Sequence, residues 1–215
     1  MLFVIDTEKN PWDIYKSLDT FLIAHCERVA EYTQLLYQLC LENSLFPDQL
    51  FEEALYHIKQ AVIYHDIGKS VFNSRFLNRK LSLTTSEERW LEHHVNFGLL
   101  IFQKTCSYPF STYHSKLYLD IVSAAIGQHH ERYDGKGYPN GLKGDEISPI
   151  GQICGICDYY DIVSSPPLGN NSFFRHDEAI YMIEQEREKH FNPVLVDIFI
   201  ENKEAFKKIK DKNIY

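Results

Sequence analysis

Apolar residues recur at spacings of three and four along most of the chain, which is the period of an amphipathic helix. Between residues 14 and 42 the apolar positions include Leu22, Val29, Leu36 and Leu39, and this pattern predicts one long helix. Alternation of apolar and polar residues, the period of a half-buried strand, is nearly absent. The sequence therefore predicts an all-α fold, a single-domain helical bundle over residues 1–215.

Capping and turn residues divide the rest of the chain into further helices. Pro47 and Asp48 start a second helix that runs to about His65, before Gly68. The stretch TTSEERWLEHHVNFGLLIF opens with a Ser-x-x-Glu type of cap and continues as a helix. Loops are predicted at 70–85 and 134–147, and the remaining predicted helices are 114–130, 148–163, 176–190 and 193–210.

Composition and charge exclude several classes of protein. The 215 residues are 44% hydrophobic and 14% aromatic, which is typical of a folded globular domain. The formal net charge is −8 and the sequence has no basic stripe, so we expect no binding to a nucleic-acid polymer.

The sequence also lacks the signals of a membrane or secreted protein. No apolar run is long enough to span a bilayer, and the N-terminus, MLFVIDTEKNPWD, lacks the basic start and long apolar stretch of a secretion signal. We expect no membrane insertion and a cytoplasmic location.

The five cysteines do not indicate a disulfide framework, because their number is odd and no signal is present. Cys154 and Cys157 form a CxxC pair, for which a redox or zinc role is one interpretation. The favoured interpretation is that both are small buried residues on a helix.

Candidate metal ligands are spread over several predicted helices. His65 and Asp66 are adjacent, which alone is a weak signal, since such a pair often only ends a helix. The other candidates are His25, His94, His129, His130 and Asp158. Helical bundles build metal sites from inward side chains on different helices. Five imidazoles and two carboxylates suit two divalent metals with a carboxylate bridge.

Five motifs occur in an order that resembles a known family. They are HCERV from His25, HDIGK from His65, HVNFG from His94, HHERYDGKGYP from His129 and DYYD from Asp158. Over roughly residues 20–200 they resemble the HD-GYP domain, a branch of the HD phosphohydrolases. The HHExxDGxGYP pattern is the most specific of the five.

The resemblance implies an all-α fold that hydrolyses cyclic di-GMP at a metal centre. By position, the first metal would be held by His25, His65, Asp66 and Asp158. The second metal, bridged by Asp66, would be held by His94, His129 and His130. A water or hydroxide between the metals would attack phosphorus. The resemblance favours iron or manganese, and the ligand types do not exclude zinc.

Further site roles also follow from the resemblance. Lys69 resembles a lysine that contacts the substrate phosphate, so Asp66 and Lys69 are the expected catalytic residues. Gly135 and Gly137 would let the backbone turn tightly beside the paired histidines, and Tyr138-Pro139 would fix that loop. The family's loop is implicated in contacts with diguanylate cyclase domains, which makes such a domain a candidate partner.

The pattern also predicts roles for residues around the ligands. Asp161 lies one turn after Asp158 and is expected either to hydrogen-bond a ligand histidine or to cap its helix. Asp134 and Glu131 could also support a ligand. Arg28 is expected in an internal ion pair. His93 is expected at the surface, since it lies about 100° around the helix from His94.

Two departures from the family pattern bear on the metals and the substrate. Phe21 stands where some members have a glutamate that binds a third metal, so we predict two metals. At 164–171 the chain lacks the basic stretch that meets substrate phosphate in the family. Arg175 could compensate as a substrate-binding residue, but the loss should weaken recognition of a dinucleotide.

The sequence thus predicts a metal-dependent phosphodiesterase that hydrolyses cyclic di-GMP or a related cyclic dinucleotide. Two alternatives stay open. One is an HD phosphohydrolase acting on another nucleotide or phosphoester. The other is a catalytically weak domain that binds a cyclic dinucleotide or a diguanylate cyclase partner.

Overall fold

The computed structural model describes residues 8–77, 83–106, 115–165 and 175–212, and these residues form helices, turns and two isolated β-bridges. Within those ranges no longer strand is present, so the predicted all-α fold class is confirmed. The α-helices are α1 (Pro11–Lys16), α2 (Thr20–Glu42), α3 (Leu55–Val62), α4 (Ser74–Leu77), α5 (Thr85–Glu92), α6 (His94–Thr105), α7 (Lys116–Gln128), α8 (Pro149–Ser164), α9 (His176–Gln185), α10 (Pro193–Glu201) and α11 (Lys203–Lys212). Short 3₁₀ helices lie at Glu52–Ala54, Ile67–Val71 and Gly144–Glu146.

Four helices enclose the core. The long helix α2 packs against α3 and α8, and α7 packs against the same two helices from the other side. Their facing sides bury Val29, Leu36, Ile58, Ile126 and Ile153 completely. Removing this apolar surface from water is the main force that holds the bundle together. Helices α10 and α11 cover α2, and α9 covers α8.

The prediction of one continuous helix over residues 14–42 is wrong, because the structure has two helices there. Ser17 ends α1, because its hydroxyl and its amide both bond to the carbonyl of Ile14. Asp19 then begins α2 as its N-cap, and its carboxylate accepts a hydrogen bond from the amide of Phe21 at 3.0 Å. Two local side-chain bonds therefore break a continuous apolar pattern.

The second predicted helix, from Pro47 to His65, is shorter than expected. The hydroxyl of Tyr37 accepts from the amide of Phe51 and donates to its carbonyl, at 2.9 and 3.1 Å. This contact holds Phe51 in an extended conformation, so α3 follows only after a 3₁₀ turn. The helix also ends at Val62, which leaves His65 in the turn that follows it.

Further predicted helices are divided or shortened in the structure. The Thr84 and Glu87 capping box starts α5, as the cap pattern indicated, but the helix breaks at His93. The predicted 176–190 helix ends at Gln185, and the 193–210 helix is divided at Asn202. The favoured interpretation of Cys154 and Cys157 is confirmed, since both are fully buried free thiols on α8. None of the described helices combines the length and apolarity needed to cross a membrane.

Replacing Gly68 by alanine is expected to destabilise the fold by more than about 2 kcal/mol, because overpacked backbone contacts cannot relax cheaply. A Cβ atom at Gly68 would collide with the carbonyl of His94 and lie 2.5 Å from the amide nitrogen of Gly98. The matched control is Gly127→Ala on α7, whose Cβ would make ordinary contacts of 3.5 Å or more with Leu99. Urea unfolding measures both variants, and equal midpoints would contradict the close approach of the 3₁₀ turn to α6.

Candidate metal centre

The bundle brings all seven predicted ligands together from separate segments. His25 is on α2, His65 and Asp66 are in the turn after α3, His94 begins α6, His129 and His130 follow α7, and Asp158 is on α8. They form two groups, each with ligand atoms within 4.8 Å of one another. The groups are His25, His65 and Asp158, and Asp66, His94, His129 and His130.

Asp66 lies between the two groups and faces both. Its Oδ2 atom is 3.6 Å from Nε2 of His25 and 3.6 Å from Nε2 of His65. Its Oδ1 atom is 3.2 Å from Nε2 of His94 and 3.8 Å from Nε2 of His129. Each carboxylate oxygen therefore faces a different pair of imidazoles, which is the arrangement that a bridging ligand requires.

Backbone carbonyls orient three of the imidazoles. Nδ1 of His65 lies 3.0 Å from the carbonyl of Val62, Nδ1 of His94 lies 2.7 Å from that of Leu91, and Nδ1 of His129 lies 2.7 Å from that of Ala125. A carbonyl only accepts hydrogen bonds, so Nδ1 carries the proton in each ring. In the neutral form of each ring, Nε2 then offers a lone pair to the cluster, which is how proteins fix histidine as a metal ligand.

The arrangement of acceptors fits a divalent cation. Nε2 of His94 and Nε2 of His129 lie 3.4 Å apart, although neither carries a proton in the tautomers described. Within the described part of the chain, Nε2 of His65, Oδ1 of Asp66 and Oδ1 of Asp158 are buried without a hydrogen-bond partner. Buried acceptors in native proteins are normally satisfied. Imidazole nitrogens and carboxylate oxygens at these distances could bind a metal ion.

The electrostatics of the cluster keep two carboxylates and one imidazole in their ligating forms. Burial acts to raise the pKa of Asp66, but Lys69 and the surrounding imidazoles outweigh it and hold this pKa well below its usual range. Burial likewise opposes ionisation of Asp158, and His25 and His65 hold its pKa well below the usual range. Burial, followed by the electrostatic interaction with His65, lowers the pKa of His129 to about 3. The carboxylates are therefore ionised and His129 is neutral near pH 7.

Lys69 lies at the edge of the cluster. Its ammonium is 2.5 Å from Oδ2 of Asp66, and its side chain is 18% exposed, whereas that of Asp66 is 1% exposed. Burial acts to lower the pKa of Lys69, but Asp66 and Asp158 outweigh it and raise that pKa, so the lysine stays charged. A cation thus lies between the buried carboxylate and solvent.

Of the two roles that the sequence left open for Asp161, the structure shows the bond to a histidine. Its Oδ2 atom lies 2.8 Å from Nδ1 of His25. Arg28 donates to both oxygens of Asp161, at 2.7 and 2.8 Å, and this is the internal ion pair expected for that arginine. Arg28 therefore orients the carboxylate that orients His25.

The loop at residues 134–147, called the glycine loop below, holds His130 in place. A Cβ atom at Gly137 would lie 2.5 Å from the carbonyl oxygen of His130, so only glycine fits this close approach. The amide of Tyr138 donates to the same carbonyl at 3.1 Å, and the Tyr138 ring stacks on the His130 imidazole at 4.7 Å. Gly135 has φ +79°, and the Tyr138–Pro139 bond is cis. The loop thus fixes the backbone and the ring of one candidate ligand.

The two acidic residues that could have supported a ligand instead stabilise this loop. Glu131 accepts hydrogen bonds from the amides of Asn140 and Leu142, at 2.8 and 2.9 Å. Asp134 pairs with Arg132 and accepts from the amide of Lys136 at 3.0 Å. The contacts of Asp134 and Glu131 therefore close the turn, and direct support of a ligand histidine by either residue stays a prediction.

Other predicted positions lie around the cluster or apart from it. His93 is exposed, as expected. The exposed side chain of Arg175 is at the start of α9, with Nη2 3.9 Å from Oε1 of Glu178. Of the stretch 164–171, only Ser164 and Ser165 are among the described residues. Sequence reasoning missed Cys26, which groups with His65 and Asp66 and was signalled only by its position beside His25. Burial, followed by Asp66, raises the pKa of Cys26 well above its usual range, so it stays a thiol.

Addition of Mn²⁺ is expected to stabilise the chelator-treated protein, by about 2.7 kcal/mol for each site at a hundredfold excess over the dissociation constant. His94→Ala should reduce this stabilisation because it removes a ligand. His93→Ala, a change at the exposed neighbouring histidine, should retain it. Thermal unfolding with and without Mn²⁺ measures the shift. An equal shift in both variants would place the bound ion elsewhere.

Comparison with known proteins agrees with this geometry. The family model described as "HD domain" matches residues 17–195. The chain therefore belongs to the HD domain family, and the predicted resemblance to its HD-GYP branch is confirmed.

Several curated proteins are similar to the chain over most of its length. A probable cyclic di-GMP phosphodiesterase of Vibrio cholerae serotype O1 is 30% identical, over 87% of this chain and 42% of that protein. The 3'3'-cGAMP-specific phosphodiesterase 2 of the same organism is 28% identical, over 85% of this chain and 32% of that protein. A cyclic di-GMP phosphodiesterase of Thermotoga maritima is 32% identical, over 73% of this chain and 41% of that protein. The chain thus spans less than half the length of each of these relatives.

Proposed function

We propose that the chain is a metal-dependent phosphodiesterase that hydrolyses cyclic di-GMP or a related cyclic dinucleotide. The observation that carries the proposal is the position of Asp66, whose two oxygens face separate pairs of imidazoles at 3.2 to 3.8 Å. The similarity to enzymes named for cyclic di-GMP and 3'3'-cGAMP supports the substrate class. We also propose that residues 1–215 act as one domain in the cytoplasm.

The seven clustered residues are proposed to hold two divalent ions, iron or manganese. His25, His65 and Asp158 would hold one ion, His94, His129 and His130 the other, and Asp66 would bridge them. When bound, such ions make water nucleophilic near neutral pH and neutralise charge on phosphoryl oxygens. The residues of the chain supply the positions: Asp161 orients His25, and the Tyr138 ring orients His130.

Lys69 is proposed to draw the scissile phosphate to the cluster. Its raised pKa keeps the ammonium charged, and its partly exposed side chain is accessible to a phosphate oxygen. A phosphate placed there would lie beside Asp66 and would share the charge of Lys69. Arg175 remains a proposed second phosphate contact, and its exposed guanidinium would have to leave Glu178.

A second candidate function is hydrolysis of another nucleotide or phosphoester by the same centre. The observation that favours it is Phe21, which stands where some members of the family have a glutamate, together with the absence of arginine from 164–171. Both differences leave the seven candidate ligands intact.

A substrate panel tests these candidates. Protein reconstituted anaerobically with iron or with manganese is given cyclic di-GMP, 3'3'-cGAMP, linear pGpG and bis(p-nitrophenyl) phosphate, beside an Asp66→Ala control. The proposal expects the highest kcat/KM with a cyclic dinucleotide and no turnover in the control. Preference for a non-cyclic ester would support the second candidate. Tight dinucleotide binding without turnover of any substrate would support a binding role.

A diguanylate cyclase domain is proposed as a protein partner at the glycine loop. The exposed residues there include Lys136, Asn140 and Gly141, close in sequence to Tyr138. The contact between Tyr138 and His130 would link such a partner to the metal cluster. Lys136→Glu should weaken binding to a purified cyclase domain. Lys116→Glu, at the start of α7 and twenty residues before Lys136, should not.

A further inference from the structure

Two large apolar side chains are exposed next to the candidate metal centre. Phe21 on α2 is 61% exposed and Ile162 on α8 is 54% exposed. Exposed apolar groups are common singly, but a pair next to a binding site indicates contact with a ligand. Their positions on the two helices that carry His25 and Asp158 link them to the site.

The pair lies on the two helices that meet at one ligand contact. Phe21 precedes His25 by four residues and Ile162 follows Asp158 by four residues. Each is therefore about 6 Å along its helix axis from its ligand and on nearly the same face. Nε2 of His25 and Oδ1 of Asp158 are 3.1 Å apart, so the two helices meet at this point.

The backbone of Phe21 is held in place, and its side chain has no polar group. Its amide is held by the Asp19 cap in the first turn of α2. Its ring cannot bind a metal, and its exposure means that it adds little to the core. A phenyl ring in this position can offer a flat apolar face to a planar group, and Ile162 can offer methyl groups beside it.

We propose that Phe21 and Ile162 form an apolar rim that contacts a purine base of the cyclic dinucleotide while its phosphate lies at the metal cluster. The inference rests on the proposed function and names the residues that recognise the base. In a nucleotide only the sugar separates the flat apolar face of the purine from the phosphate. Stacking of a base on an aromatic side chain is favourable and tolerates different bases.

Steady-state kinetics test the rim. Phe21→Ala is expected to raise KM for cyclic di-GMP about 5- to 10-fold with little change in kcat, because the contact is the same in the ground and transition states. Phe21→Trp should restore the KM. Ile162→Ala should raise KM about 2- to 5-fold, since it removes a smaller apolar surface.

Two controls separate base recognition from general damage. Phe21→Ala should bind Mn²⁺ with the wild-type affinity, because a phenyl ring cannot bind a metal and the candidate ligands are unchanged. Tyr181→Ala changes an equally exposed aromatic residue, at 61%, on a helix that carries none of the candidate ligands, and it should leave KM unchanged. An unchanged KM for Phe21→Ala, or an equal rise in KM for Tyr181→Ala, would overturn the rim.

The test also distinguishes the rim from the proposed function. If the wild-type protein hydrolyses no cyclic dinucleotide, the proposed function fails. Calorimetry with the bisphosphorothioate analogue of cyclic di-GMP then decides the rim alone. A dissociation constant raised about 5- to 10-fold by Phe21→Ala supports the rim. An equal dissociation constant, or no binding by the wild-type protein, overturns it.

Discussion

Asp66→Asn is expected to lower phosphodiesterase kcat/KM more than about 100-fold, since loss of residues that only support metal ligands already costs about 10- to 100-fold. Asparagine keeps the size of the side chain but loses the charge that faces both groups of imidazoles. The ammonium group of Lys69 would also lose the carboxylate with which it pairs. We therefore expect weaker Mn²⁺ binding together with lost turnover, measured by metal titration and by product formation.

The matched control for this change is Asp120→Asn on α7. Asp120 also pairs with a lysine on its own helix, Lys116 at 2.6 Å, but the pair is exposed. Its replacement should leave metal binding and turnover unchanged, because exposed ion pairs contribute about 0–1 kcal/mol. Wild-type turnover in Asp66→Asn would contradict the bridging role of Asp66.

Asp161→Asn is expected to weaken metal binding or kcat/KM by about 10- to 100-fold without removing a ligand. The substitution removes the charge that holds the proton on Nδ1 of His25 and leaves the largely buried guanidinium of Arg28 without its ion pair. Breaking such a buried pair also destabilises a protein, by about 3–5 kcal/mol. A Mn²⁺ titration at a temperature where the variant is folded separates the two effects.

Asp134→Asn provides the comparison, since Asp134 also pairs with an arginine but closes the glycine loop. Its variant should bind Mn²⁺ like the wild-type protein. If both variants bind Mn²⁺ with wild-type affinity, Asp161 has only a structural role and the orientation of His25 does not depend on it.

The candidate ligands were predictable because each is a histidine or an aspartate on or beside a predicted helix and in a motif that resembles the HD-GYP domain. His25, His94 and Asp158 fall on inward faces of helices, and the bundle brings those faces together. The resemblance to the HD-GYP domain supplied the grouping around Asp66, which spacing alone did not give. The structure adds the short distances between the ligand atoms of each group, which allow one metal ion to contact them together.

The helix boundaries were less predictable, because side chains that bond to the backbone set them. Tyr37 holds Phe51 from a different part of the chain, so the late start of α3 depends on tertiary contact. The imidazole of His94 bonds to the carbonyl of Leu91 next to the break between α5 and α6. An apolar pattern records which faces are buried and contains no information about such bonds.

The role of Asp161 was undecided in the sequence for a similar reason. A carboxylate one turn after a ligand has the same spacing whether it bonds a histidine or caps a helix. Only the distance to His25 and the bidentate contact with Arg28 distinguish these roles. Asp134 had an equally suggestive position, and its short-range bonds to Arg132 and Lys136 assign it to the loop.

The most direct test of the account is turnover of cyclic di-GMP measured against equivalents of Mn²⁺ bound per chain. The account predicts no turnover in the chelator-treated protein and the appearance of linear product as the second equivalent binds. Turnover without metal, or no turnover with two equivalents bound, would contradict it.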